Sequence, residues 1–160
     1  MAVASSKSGE MHHMVGFTVG NEEFCVDILK VQEIIRMMGI TKIPNAPDYA
    51  EGVINLRGRV IPVIDFRKRF NFPVAAEEND ESRRIVVVDI VGNTIGLIVD
   101  EVSQVIKLER DCVSPTPETV KSSGGACFSG IGRLGEKLII LLDVEGMFDD
   151  GELAWAEEAA

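Results

Sequence analysis

The chain repeats itself. Displaced by 71 positions, FCVDILKVQEII (24–35) falls on IGLIVDEVSQVI (95–106): Val31 meets Val102, Ile34 meets Val105, and Ile35 meets Ile106. Pro44 meets Pro115 in the same register. Displaced by 78, EGVINLRGRVIPVID (51–65) falls on SGIGRLGEKLIILLD (129–143), matching Gly52 to Gly130, Leu56 to Leu134, Ile61 to Ile139 and Asp65 to Asp143. Glycine, proline and aspartate recur along with the aliphatics, so the match is more than shared alternation. A repeat of this size restricts the fold to two copies of one unit.

Each half reads as a hairpin, a short amphipathic piece, a proline loop and a glycine-led hairpin. VGFTVGNEEFCVDI turns at Gly20-Asn21, and RRIVVVDIVGNTIGLIVDEV turns at Gly92-Asn93. The Val/Ile runs of the second are too continuous for a half-exposed strand, so both faces should be buried. RVIPVIDF and KLIILLDV are two more such runs. Pro62 removes a ladder donor, which predicts an edge strand or a bulge there. ILKVQEII and DFRKRF predict short helices. The expected fold is all-β with short helices: two similar five-stranded units, each closed into a small barrel, since closure removes exposed strand edges. Residues 1–13 read as a disordered N-terminal tail, 14–148 as one domain of two interlinked subdomains, and 149–160 as an acidic C-terminal tail. AAEENDES (75–82) reads as an acidic loop.

Composition excludes several classes. The formal net charge of −10 argues against a partner tracked by its phosphates. No apolar run reaches the ~18 residues of a membrane span, and the start shows no signal-peptide core, so a cytoplasmic location is expected. The three cysteines, Cys25, Cys112 and Cys127, form no CxxC pair and read as small apolar fillers. His12 and His13 are the only histidines, so no histidine-based triad can be assembled in the body of the fold.

GIGRLG (130–135) is a literal GxGxxG. A dinucleotide site needs a helix after the glycines, and here the strand-like EKLIILLD follows, so the motif reads as a hairpin turn. Seven of the 16 basic residues fall between 57 and 84. The accompanying Phe66, Phe70 and Phe72 have core spacing rather than the spacing of a stacking platform, which favours an acidic protein partner over nucleic acid. A nucleotide-binding enzyme built on GIGRLG, or an OB-like nucleic-acid module, is the alternative function.

NLRGRVIPVIDFRKRF, with VDILKVQEII upstream and IGLIVDEVSQVI downstream, closely resembles the CheW family of bacterial chemotaxis coupling proteins. The resemblance runs from about Val15 to Phe148 and takes in Pro47 to Gly52 and GIGRLGEKLIILLD. It implies two five-stranded β-barrel subdomains and a scaffold with no catalysis and no cofactor. It also implies two partners: the histidine kinase CheA, which ends in a domain of the same fold, and the cytoplasmic tip of methyl-accepting chemoreceptors. The protein would then be recruited to receptor arrays at the inner membrane without inserting into it. By motif match the family's partner-binding positions fall on Val31, Glu33, Gly52, Arg57, Gly58, Val102 and Val105. Phe66 stands where the family often has leucine.

Arg57 then poses a question, because a permanent charge heads an apolar run. In the repeat its counterpart is Gly135, so the hairpin does not require arginine. Arg57-Gly58 reads as a two-residue hairpin tip with glycine free to take positive φ, which puts the charge outside the core. An ion pair within the chain is the other use for it.

Overall fold

The computed structural model describes residues 11–70, 81–90, 92–115 and 128–147. The strands are β1 (Met11–Val19), β2 (Glu22–Asp27), β3 (Val31–Arg36), β4 (Ala50–Leu56), β5 (Arg59–Asp65), β6 (Arg84–Ile90), β7 (Asn93–Val99), β8 (Glu101–Glu109), β9 (Val113–Ser114), β10 (Phe128–Leu134) and β11 (Lys137–Leu142). One helical turn, α1 (Phe66–Arg69), follows β5, and 3-10 turns cover Ile28–Lys30, Arg110–Cys112 and Val144–Gly146.

The strands form two sheets, ordered β8-β1-β2-β11-β10-β9 and β3-β6-β7-β5-β4. Each closes on itself. In the first, β9 continues from β8 and pairs with β10 through Ser114 and Ile131. In the second, the chain leaving β3 returns to β4, where Thr41 and Val53 exchange both backbone hydrogen bonds at 2.9 Å. Five-stranded barrels result, as the repeat predicts. Their composition differs from a simple reading of that repeat, because neither barrel is a contiguous half. The β1–β2 hairpin of the first half sits among β8–β11, and the β6–β7 hairpin of the second half sits among β3–β5. The halves have exchanged their leading hairpins.

The exchange is two-fold in register. Cys25 pairs with Leu141 across the parallel β2–β11 ladder, and the counterpart Gly96 pairs with Val63 across β7–β5. Val102 pairs with Phe17 and Val31 with the equivalent Val88. Register shifts recur at matching places too, next to Val31 and Val102, and next to Gly52 and Gly130.

Three cores follow from strand parity. Met14, Cys25, Ile106, Leu108, Ile139 and Leu141 fill the first barrel. Ile54, Ile61, Val63, Ile85, Val87 and Ile98 fill the second. The outer faces of the central hairpins meet between the barrels, where Phe17, Phe24, Val86, Val88, Leu97 and Val99 are buried with Phe66 and Phe128. The continuous apolar run of β6 is thereby explained: Ile85 and Val87 face one core while Val86 and Val88 face another. Phe66 packs edge-on to Phe17 and Phe24 at 5.5 and 5.0 Å, contacts that add about 0.5–1.5 kcal/mol each beyond area burial.

Three local expectations are corrected. Met11, His12 and His13 are not tail. They extend β1 and pair with Glu109, Leu108 and Lys107, a partner 96 residues away in sequence that no local signal reveals. ILKVQEII is not a helix: one 3-10 turn gives way to β3, whose β-branched Val31, Ile34 and Ile35 pair with β6. Pro62 lies on an interior strand with no register shift at its own position. It is tolerated because its partner Val53 turns its N–H and C=O toward Thr41, and the β7 ladder begins only at Val63. Asp100 accepts hydrogen bonds from Arg67 at 2.5 Å and from the Gly20 N–H at 2.8 Å. Phe72, Cys127, Trp155, residues 149–160 and most of the 75–82 loop lie outside the described residues. Cys25 is buried inside the first barrel, and desolvation pushes its thiol up to about 12.

Candidate partner-binding surface

The β4–β5 hairpin ends in the two-residue tip expected of Arg57-Gly58, but both residues are left-handed, with φ of 53° and 83°. Positive φ at two successive positions is the turn that matches strand twist. Arginine pays about 1–2 kcal/mol for that conformation. Two contacts hold the tip. The Gly58 N–H donates to Asn55 Oδ1 at 2.9 Å, and the Arg57 guanidinium forks onto Glu33. Nη1 donates to Oε2 at 2.6 Å and Nη2 to Oε1 at 2.8 Å. The bulge that follows Val31 sets Glu33 in phase with the inward-facing Ile35 at the barrel mouth. The fork therefore spans the two strands, β3 and β4, that end the sheet.

Electrostatically the pair is polarised outward. The Arg57 side chain is 72% exposed and that of Glu33 only 26%. The hydrogen bonds from Arg57 hold the Glu33 carboxyl below the usual carboxylate range, with partial burial opposing. The ion pair within the chain and the outward charge thus coexist. Sequence reasoning missed Gln32 and Thr94, which join this mouth. Gln32 Nε2 and Arg59 Nη2 both donate to Thr94 Oγ1, at 3.2 and 2.9 Å. Strand parity with Ile61 and Ile98 would have placed Arg59 and Thr94 there.

The remaining candidates separate. Val31 and Val102 are half-buried against the core between the barrels, and Val105 is 53% exposed on β8. None of the three is a fully buried core residue. They lie on β3 and β8, strands of different barrels. Gly52 is buried. Its φ is +141°, and a Cβ there would stand 2.1 Å from the Thr41 carbonyl oxygen. Gly52 admits the strand that closes the second barrel. Gly130 does the same under Ser114 in the first barrel, less tightly, at 3.0 Å. The other predicted motif, GIGRLG, is strand, turn and strand. No helix N-terminus follows it to receive a pyrophosphate. Phe66 and Phe70 pack at 4.7 Å with their rings tilted by 52°, Phe66 buried and Phe70 half-buried against the same core, and they offer no platform for bases.

The profile of the CheW-like domain matches residues 13–152. The chain belongs to the CheW family. It is 36% identical over 162 residues to the chemotaxis protein CheW of Klebsiella aerogenes, an alignment covering all of this chain and 96% of that one. It is 34% identical over 146 residues to CheW of Bacillus subtilis, covering 91% of each. The crystal structure of the scaffolding protein TtCheW from Thermoanaerobacter tengcongensis superposes with a TM-score of 0.81 at 36% identity, over 89% of this chain and 96% of that one. CheW membership accounts for the two linked sheets.

Proposed function

We propose that this chain acts as a chemotaxis coupling scaffold joining chemoreceptors to the histidine kinase CheA, and that it does so by surface recognition without catalysis. The coupling role rests on family membership across nearly the whole chain. The observation that carries the recognition role is the Arg57–Glu33 fork. It holds a strained, outward-facing guanidinium at a fixed hairpin tip, ready to donate its outer N–H groups to a partner's acceptor. Val105, exposed on β8, and the half-buried Val31 and Val102 supply apolar contact of the kind an amphipathic helix takes up. Binding to the receptor's cytoplasmic tip and to CheA would keep the protein on the cytoplasmic side, at receptor arrays. No helix among the described residues is long and apolar enough to cross a membrane.

The test is binding of purified receptor cytoplasmic fragment and of CheA to Arg57→Ala and Val105→Ala chains. Each substitution is expected to leave the melting temperature nearly unchanged and to weaken binding to at least one partner about tenfold, the scale of one lost charge-assisted or hot-spot contact. Wild-type affinity of both variants for both partners would refute the assignment of these residues.

A further inference from the structure

The duplicated fold supplies an internal control, since every position at the mouth of one barrel has a counterpart at the other. At the second barrel the mouth is closed by arginines. Arg57 forks onto Glu33, Arg59 reaches Thr94, and Leu56 lies beneath. The counterparts in the first barrel are Gly135 for Arg57, Gln104 for Glu33, Lys137 for Arg59, Glu23 for Thr94 and Leu134 for Leu56. Gly135 has no side chain to lay across. Lys137 Nζ stands 3.6 Å from Glu23 Oε1, beyond hydrogen-bond distance. Among the described residues neither the Ser103 hydroxyl nor the Gln104 amide has a hydrogen-bond partner. A cleft of about 110 Å³ lies at this mouth.

The walls of the cleft specify an occupant. Its floor is apolar, made by Ile106 and Ile139 of the first-barrel core, with Leu134 at the side. Its rim carries three acceptors, the Glu23 carboxylate, the Gln104 amide oxygen and the Ser103 hydroxyl, together with the Lys137 ammonium, whose loose ion pair with Glu23 an incoming guanidinium would have to displace. Glu101 lies in the same row, since it pairs with Thr18 and Thr18 pairs with Glu23. The fitting group has an apolar stem and a flat head with several donors. That describes arginine, and a lysine ammonium offers only a point charge. The chain's net charge of −10 favours a cationic visitor as well.

We infer that the open mouth of the first barrel receives an arginine side chain from a partner protein, completing in trans the plug that Arg57 forms in cis at the second barrel. Gly135 and Gln104 are the residues that keep this mouth vacant and receptive.

The probe is 1-butylguanidinium, titrated into the ¹⁵N-labelled full chain and followed by amide shifts. Saturable shifts centred on Glu23, Ser103 and Gln104 are expected, and the neutral isostere 1-butylurea should bind about tenfold more weakly or not at all. Glu23→Gln should weaken the guanidinium probe. The double variant Gln104→Glu/Gly135→Arg supplies its own arginine. It should fold, because Arg57 already occupies φ 53° where Gly135 has φ 65°, and it should lose the probe. No saturable shift, equal binding of the urea, or undiminished probe binding by the double variant would each overturn the site. The partner as source is tested with receptor fragment and CheA, once wild-type binding to either is established. The double variant should lose about tenfold affinity for the one that supplies the arginine. Unchanged affinity for both overturns the trans assignment. If the wild-type chain binds neither protein, the coupling role fails instead, and the probe titration still judges the cleft.

Discussion

Gly52→Ala should open the second barrel. Two effects add at this one position. The φ of +141° suits glycine alone, and holding alanine in such a region costs about 1–3 kcal/mol. The new Cβ would also stand 2.1 Å from the carbonyl oxygen of Thr41 and 2.7 Å from its carbonyl carbon, both backbone atoms. That overlap cannot be relieved by a rotamer, so the Thr41 strand must withdraw. It would take with it the two 2.9 Å hydrogen bonds to Val53, worth about 0.5–1.5 kcal/mol each. The sum is about 4 kcal/mol, against a total stability of about 5–15 kcal/mol for a domain. Urea denaturation measures it: with a slope of about 2 kcal/mol/M the midpoint should fall by about 2 M. Gly58→Ala is the control, since its φ is +83° but its added Cβ meets nothing within 4 Å. It carries strain without overlap and should lose only about 1–2 kcal/mol. If Gly52→Ala and Gly58→Ala unfold at the same urea concentration, the closure argument is wrong.

Other substitutions separate charge, caps and burial. Arg67→Ala strands Asp100 in a half-buried site and should destabilise by about 3 kcal/mol in the same urea assay, far more than loss of the exposed Lys30–Glu145 pair, which should be barely measurable. Asp65 accepts from the Arg67 N–H at 2.9 Å at the start of α1, and Asp65→Ala should lose about 1 kcal/mol of capping that Asp65→Asn retains. Burial raises the Asp65 carboxyl above its ordinary 3.8, so the folded state binds that proton more tightly than the unfolded chain does. The resulting stabilisation is full below the ordinary value and lost as pH rises through the folded one. Asp65→Asn should therefore gain on wild type between pH 4 and 7 in melting experiments, and a constant difference across that range would contradict the shift. Cys25, with its thiol at about 12, should resist iodoacetamide at pH 8 while half-buried Cys112 is alkylated, as peptide mass mapping would show.

The duplicated architecture was legible in the sequence because glycine, proline and aspartate recur at fixed displacements, and such residues serve geometry. Gly52 and Gly130 admit a closing strand, and Asp65 and Asp143 cap the turns that follow β5 and β11. The exchange of hairpins was not legible, and symmetry explains why. Cys25 on Leu141 and Gly96 on Val63 are the same register, so a hairpin presents the same pattern whichever half it joins. The misreading of ILKVQEII has a local cause. The bulge beside Val31 breaks the period-2 alternation, and the resulting apolar spacing imitates a helix.

The site divides along the same line. Positions where the halves agree serve the fold: Leu56 and Leu134 border the two mouths, and the paired glycines and aspartates build closures and caps. Positions where they differ carry the surface chemistry. Arg57 against Gly135, Glu33 against Gln104, Arg59 against Lys137 and Thr94 against Glu23 turn one mouth into a charged, self-filled knob and leave the other as a cleft. Arg57 could be singled out from sequence, since a strained hairpin tip does not need a guanidinium. Its partner Glu33 could not be assigned, because it lies 24 residues away on a segment whose bulge hid its strand. In a duplicated domain a difference between equivalent positions is thus a sharper pointer to recognition than a motif. A shared residue is already accounted for by a backbone that both halves must build, and a divergent one has no such explanation in the fold.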